Sequence, residues 1–348
     1  MKKNSVCELL SIKYPIIQAP MSWISDAVLV ASVSEAGGLG VLGPNAGAKT
    51  VTTDVFETAE RLRKQIRKTK SLTKKPFGVN IMCFEQDQPF SDECVKVILK
   101  EGVAVGCFCG DHPERYIKQL KNASMKLLLR PLPINSVEVA RKAEQLGLDA
   151  IVAVGYEGGG HLGIDTTPTF VLVPRIAHAV KIPVLAGGGI VDGRGMLAAL
   201  ILGAKGVYMG TRFIATNECP AHSTYKQAII NANDTSTAVF TGKVAICRAF
   251  KTPLVEHFIE MEKAGTANAE ENAKLHRHNS RPWITGNWDE AAFPSSAAAG
   301  LIKQVTSSAE VIQGMVKEMD QILDKLPQER FASTAFSDKP NRKKNVSK

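Results

Sequence analysis

Pro183-Val-Leu-Ala-Gly-Gly-Gly-Ile190 is followed, one helix-like stretch later, by Gly206-Val-Tyr-Met-Gly-Thr-Arg212. Each is a short apolar run that ends in glycine. Met196–Leu202 lies between them and stops at Gly203, where a helix would need its C-terminal glycine. A strand, a helix and a second strand predict parallel pairing through a right-handed crossover. The same rhythm extends towards the N-terminus. Apolar runs occur at Pro15–Met21, Leu39–Gly43, Phe77–Met82, Val103–Cys107, Lys126–Leu132 and Ala150–Val154. With Pro183–Ala186 and Gly206–Met209 they make eight. Eight alternating units predict an α/β fold, a (β/α)8 TIM barrel. A doubly wound open sheet is the competitor, and periodicity alone does not separate the two.

The rhythm stops after Thr216. The expected organisation is a barrel over 1–216, a smaller, mostly helical lid-like insertion over 217–305, a closing helix over 306–326 and a flexible basic tail over 327–348. Within the insertion, helix-like stretches lie near Tyr225–Ala232 and Leu254–Ala264, and Asn268–Trp288 is polar. The closing helix, Ser307–Leu326, places Val311, Met315, Met319 and Ile322 on one face.

Composition excludes several classes. The chain has 348 residues, 44% hydrophobic and 22% charged, which is globular rather than disordered. The net charge of +9 is concentrated. Arg61 to Lys75 carries eight basic residues without an acid, and Ser337 to Lys348 carries five with one acid. Neither stretch interleaves aromatic or amide readers, so no nucleic-acid partner is expected. The first fits a solvated helix face, because Val55, Ala59, Leu62 and Ile66 keep helical spacing opposite the charges. No membrane span is expected, since no run of about 18 apolar residues exists. Met1 to Pro15 lacks the apolar centre of a signal peptide. The 7 cysteines are scattered and odd in number, so a reducing cytoplasm is the simplest location.

In a barrel, chemistry sits where the strands end. The seventh run ends in Gly187, Gly188 and Gly189; the eighth ends in Gly210 and Thr211. Bare backbone N–H groups in adjacent loops, with a helix N-terminus close by, predict a phosphate site. The sixth run ends in Gly155-Tyr-Glu-Gly-Gly-Gly-His161. Gly158 to Gly163 matches G-x-G-x-x-G, but a dinucleotide fold needs a helix there and an acid roughly 20 residues later. The following residues contain Pro168 and no such acid, so that reading is rejected. His161 is then a candidate for proton exchange near neutral pH. His276 and His278 form H-x-H without a completing ligand, and no metal site is expected. Cys107 and Cys109 read as packing residues, and nothing orients Cys219 and His222 as a nucleophile pair.

Six stretches together resemble one family: Pro15-Ile-Ile-Gln-Ala-Pro-Met21, Ala36-Gly-Gly-Leu-Gly40, Pro76-Phe-Gly-Val-Asn80, Glu157-Gly-Gly-Gly-His161, Ala186-Gly-Gly-Gly-Ile190 and Gly210-Thr-Arg-Phe213. The chain resembles the nitronate monooxygenases, formerly 2-nitropropane dioxygenases. Their superfamily includes flavin-dependent NADH:quinone reductases and flavin-type enoyl-acyl-carrier-protein reductases. The resemblance implies FMN as cofactor. It implies that Met21 and Asn80 lie against the flavin and that Glu157 and Gly160 touch the cofactor edge. It implies that Gly187, Gly188, Gly189, Gly210 and Thr211 bind the phosphate. His161 matches the family's catalytic histidine. The implied reaction oxidises alkyl nitronates, and nitroalkanes as a second class, with molecular oxygen, yielding a carbonyl compound and nitrite.

Two departures matter. Gly158 stands where many members have alanine. The fifth strand end, Pro131-Leu-Pro-Ile-Asn-Ser136, lacks a basic residue seen in quinone-reductase relatives. Arg248-Ala-Phe-Lys251 resembles a basic segment near the family's active-site mouth. The alternative function is an NAD(P)H-dependent FMN reductase of quinones or enoyl thioesters; a flavin-binding protein without turnover is the third reading. The expected partners are a small-molecule substrate and oxygen, with a homodimer as the expected assembly.

Overall fold

A computed structural model describes residues 4–241, 245–268 and 281–325. The eight expected strands form one parallel sheet. They are β1 (Ile16–Gln18), β2 (Val41–Leu42), β3 (Gly78–Cys83), β4 (Val105–Gly110), β5 (Lys126–Pro131), β6 (Ala150–Val154), β8 (Val184–Gly187) and β9 (Gly206–Met209). A two-residue strand, β7 (Gly160–His161), lies outside that sheet. The spatial order is β1-β9-β8-β6-β5-β4-β3-β2. The remaining seam is closed by Leu39, which bridges Ile17. Leu39 exchanges backbone bonds of 2.9 Å with Ile16 and Gln18. The buried Gln18 side chain strengthens this join: Oε1 accepts from the Val41 N–H at 3.1 Å, and Nε2 donates to Ser25 Oγ at 2.8 Å. The fold is a (β/α)8 barrel.

Strands buried on both faces read as continuous apolar runs, and that is how the sequence betrays them. Val105 and Cys107 of β4 point into the barrel with Leu128, Val152, Leu185 and Tyr208. Phe108 packs outward into the layer beneath the helices. The helix Val55–Leu72 buries Ala59 and Ile66, while Arg63 and Arg67 on its outer side pair with Glu101 at 3.0 and 2.9 Å.

The eighth barrel helix is not next to the eighth strand in sequence. A single turn, Thr211–Ile214, follows β9. The chain then makes the insertion and returns as the helix Ser308–Lys325, which packs against the helices Ala27–Glu35 and Gly193–Ile201. Val311, Ile312 and Met315 are buried there. A Cβ on Gly193 would lie 2.4 Å from the Met315 carbonyl oxygen, so glycine sets the closeness of that contact.

The insertion differs from expectation in one respect. Helices form at Ser223–Ile230 and Pro253–Ala264, as read. The segment between them, read as helical and irregular, instead contains β10 (Thr237–Thr241) and β11 (Ile246–Phe250). They pair antiparallel, and β11 also pairs with β7. Each holds only short apolar stretches, Ala238-Val-Phe240 in β10 and Ile246-Cys247 and Ala249-Phe250 around Arg248 in β11, too short to stand out as strands. Gly158–Gly163 enters this sheet and not a helix, so the dinucleotide reading fails structurally too. The basic tail and the His276/His278 pair lie outside the described residues.

Candidate active site

A cavity of about 290 Å³ opens at the C-terminal ends of the barrel strands and extends under the insertion. This is the size class of a small-molecule site. Met21, Asn80, Gly160, His161, Gly188, Gly189, Gly210 and Thr211 all line it. The strand ends therefore bring together most of the residues singled out from sequence.

The glycine loops differ in what they require. Gly188 (φ +86°) and Gly189 (φ +74°) occupy the left-handed region that favours glycine. A Cβ on Gly188 would meet the Gly155 carbonyl oxygen at 2.7 Å, so this glycine is demanded by loop against loop. Gly210 has an ordinary backbone, and a Cβ there would face Met21 Sδ at 3.6 Å, an ordinary contact. No acceptor among the described residues takes the N–H of Gly188, Gly189 or Gly210. The longer helix N-terminus nearby is not available for an anion. The Gly195 N–H donates to Asp192 at 2.9 Å, and the Gly193 N–H donates to Glu318 at 2.7 Å.

Three of the expected cofactor contacts sit differently. The Glu157 carboxylate accepts from the Thr169 N–H at 2.9 Å and hydroxyl at 2.8 Å, which places it behind Gly189 at the start of the helix Thr169–Ala179. Gly187 belongs to β8, its Cα side packed against Val154 and Tyr208, and does not line the cavity. The Thr211 hydroxyl accepts from the Ser296 N–H at 3.0 Å, which leaves its backbone facing the cavity. Ser296 also donates to the Glu157 carbonyl at 2.7 Å. Residues 294–296 thus form a strap over the sixth-strand loop. A Cβ on Gly159 would come within 2.6 Å of the Ser295 carbonyl carbon, so glycine admits the strap.

His161 is half-buried on β7, opposite Cys247 of β11. Asn80 is oriented by a bond from Nδ2 to the Cys107 carbonyl at 2.9 Å. Two arginines complete the wall. Arg248, on β11, donates to the Tyr156 carbonyl at 3.2 Å and lies 5.0 Å from the centre of the Tyr156 ring. Arg130, on β5, donates to Cys109 Sγ at 3.5 Å and to the His161 carbonyl. Pro131–Ser136 has no basic residue, as read, but Arg130, one position before it, lines the cavity and was not singled out from sequence. Inside a Leu-Leu-Leu-Arg run it gave no sign of facing a ligand. Burial pushes the Cys247 thiol up to about 12, despite the opposing pull of Arg130. Tyr208, at the cavity floor, is held far above its usual range by burial. Aromatic residues of the insertion form the roof. Tyr225 and Trp283 line it, and Tyr225 meets Phe293 edge-on at 4.9 Å.

The other sequence candidates are structural. Cys107 and Cys219 are fully buried. His222 Nδ1 accepts from the Thr224 N–H at 3.2 Å and caps the helix Ser223–Ile230. No helix among the described residues is long and apolar enough to cross a membrane.

Residues 3–318 match the family model described as nitronate monooxygenase. A protein of Staphylococcus aureus strain MSSA476 named "Probable nitronate monooxygenase" is 36% identical over 304 residues, covering 75% of this chain and 81% of that one. Among solved structures, FabK from Thermotoga maritima has a TM-score of 0.84 at 36% identity, covering 94% of this chain and 99% of that one. A nitroalkane oxidase from Streptomyces ansochromogenes has a TM-score of 0.76 at 25% identity, covering 92% and 99%.

Proposed function

The chain belongs to the nitronate monooxygenase family, a family of flavin-dependent oxidoreductases, and from that membership we propose that it oxidises alkyl nitronates with FMN and molecular oxygen. One observation carries the reading. The cavity that His161 lines is also lined by Gly188, Gly189 and Gly210, whose N–H groups have no acceptor among the described residues. Those groups suit a single phosphate held by backbone, and glycine at each keeps the approach open. Because Gly158–Gly163 is strand and loop, no second nucleotide-binding turn stands beside them among the described residues, which supports a mononucleotide. Met21 and Asn80 would then lie against the ring. Glu157 and Gly187 support the loops from behind. When bound, FMN supplies an electron acceptor that oxygen can regenerate.

The protein's own residues do the rest. A nitronate carries its negative charge already and needs no base. A neutral nitroalkane must first lose a proton from carbon, and the His161 imidazole is the cavity-lining group suited to take it. Arg248 and the Tyr156 carbonyl hold the insertion against the sixth-strand loop. Tyr225 and Trp283 roof the cavity and exclude water. The products are a carbonyl compound and nitrite.

A second reading, an NAD(P)H-dependent reductase of quinones or enoyl thioesters, draws on the likeness to FabK from Thermotoga maritima. Anaerobic mixing of the flavin-loaded protein with a nitronate, with NADH and with NADPH tests both. Bleaching of the flavin by nitronate supports the first. Rapid bleaching by a nicotinamide alone overturns it in favour of the second.

A further inference from the structure

Charge in the cavity is one-sided. Among the described residues its walls contain Arg130, Arg248 and His161, and no aspartate or glutamate. Neither arginine has a carboxylate partner among the described residues. Other arginines of this protein do: Arg61, Arg63, Arg67, Arg115 and Arg194 all pair with acids. Two guanidinium groups beside a recessed cavity, both without counter-ions, are costly unless an anion joins them.

The two reach the same place from different scaffolds. Arg248 comes from β11, next to Cys247, which pairs with His161. Arg130 comes from the barrel end of β5 and bonds the His161 carbonyl from the opposite element. Arg130 thus holds the His161 main chain, and Arg248 sits beside it across the ladder, opposite Gly160. Gly188 and Gly189 follow β8 and Gly210 follows β9, with β6 between β8 and β5. Arg130 is carried by a strand that does not neighbour β8 or β9. Its remaining donors suit a compact planar oxyanion, for which the guanidinium fork is the matching shape.

We infer that Arg130 is a specificity-determining residue, which with Arg248 makes the wall around His161 a binding site for the oxyanion of a small substrate. The O–N–O group of a nitronate has that chemistry, whereas a neutral nitroalkane lacks the charge. This deepens the function proposed above and rests on it for the substrate. The anion site itself is readable without that reaction.

Inorganic nitrate is the probe. Flavin-loaded wild type, Arg130→Lys and Arg130→Gln are titrated with nitrate at constant ionic strength, and the flavin absorbance is followed. Gln keeps an N–H donor for the His161 carbonyl and removes the charge. Lys keeps the charge. Wild type should show saturable binding, Arg130→Lys should retain most of it, and Arg130→Gln should bind on the order of tenfold more weakly or worse. FMN affinity should be the same in all three. In turnover, Arg130→Gln should raise KM for nitronate more than it lowers kcat, with KM for neutral nitroalkane unchanged. Equal nitrate affinity in wild type and Arg130→Gln, or no nitrate binding in wild type, overturns the inference. Loss of FMN in step with nitrate overturns it too, by assigning Arg130 to the cofactor phosphate. Nitrate binding as expected, without flavin reduction by nitronate, keeps the anion site and removes the nitronate reaction.

Discussion

His161 and Cys247 face one another in an antiparallel ladder, so the strand that carries the candidate base is completed by the insertion and not by the barrel. The barrel supplies the glycine loops, and the inserted sheet fixes the histidine. Phosphate binding and proton transfer should therefore be separable by mutation.

Phe258 tests this separation. It packs edge-on against Phe240, 6.1 Å between ring centres, beneath the sheet that holds Cys247 and Ala249. Truncation of a buried phenylalanine costs about 3–5 kcal/mol. That loss falls on the insertion, because Phe258 packs in a small cluster of insertion residues separate from the core inside the barrel. Phe258→Ala should retain FMN but lose turnover, and limited proteolysis should cut first within the insertion. Parallel loss of flavin and turnover would contradict separate roles.

Gly188 and Gly210 should respond differently to the same substitution. Valine at 188 meets both a left-handed backbone and the Gly155 carbonyl. Gly188→Val should lower the melting temperature and FMN affinity together, because packing against the next loop already demands this glycine. Valine at 210 meets an ordinary backbone and projects towards Met21. Gly210→Val should leave the melting temperature of the flavin-free protein near wild type. Its FMN affinity should weaken on the order of tenfold or more, if backbone donors there bind a charged group. Unchanged FMN affinity in Gly210→Val would show that the eighth-strand loop does not meet the cofactor.

Much of this was readable from residues. The eight strands were, since they are largely buried on both faces and read as short apolar runs, several of them ending at glycine, asparagine or proline. The closing helix was, within a residue at each end, since Val311 and Met315 repeat at helical spacing. Thr237–Thr241 and Ile246–Phe250 were not, because their apolar stretches are only two or three residues long, bounded by Thr237 and Thr241 or split by Arg248. The family resemblance implied that Glu157 touches the cofactor edge, yet its carboxylate turns to Thr169. Arg130 was hidden by its neighbours. Its direction depends on its being near the strand end, where a side chain on the barrel's inner face has the cavity above it and not another packed layer.

Alkaline pH should destabilise the fold. Burial pushes the Cys107, Cys219 and Cys247 thiols up to about 12 from an ordinary 9.0, and raises Tyr208 and Tyr225 in the same sense. The folded chain keeps protons that the unfolded chain releases. The resulting stabilisation is complete below pH 9 and is lost as pH climbs through the folded values. Urea midpoints should fall steadily from pH 9 to pH 11. A Cys219→Ala variant, compared with itself at pH 8, should fall less. A wild-type midpoint flat across that window would disprove the buried-thiol contribution.

The strongest test of the chemistry is His161→Asn. Asparagine keeps comparable bulk and a polar end but cannot take a proton. The variant should keep its FMN, because the glycine loops belong to β8 and β9 and not to β7. It should keep its fold, because the β7 pairing with β11 uses backbone groups. A positioned general base typically contributes about 10²–10⁴-fold. With neutral nitroalkane, anaerobic stopped-flow should show flavin reduction slowed by roughly that factor. With a preformed nitronate the slowing should be much smaller, since the proton has already gone. The difference between the two substrates is the informative quantity, because a general distortion of the cavity would slow both alike. Equal slowing of both would remove His161 from the base role and leave it a binding residue. Equal rates with nitroalkane in wild type and variant would show that another group takes the proton.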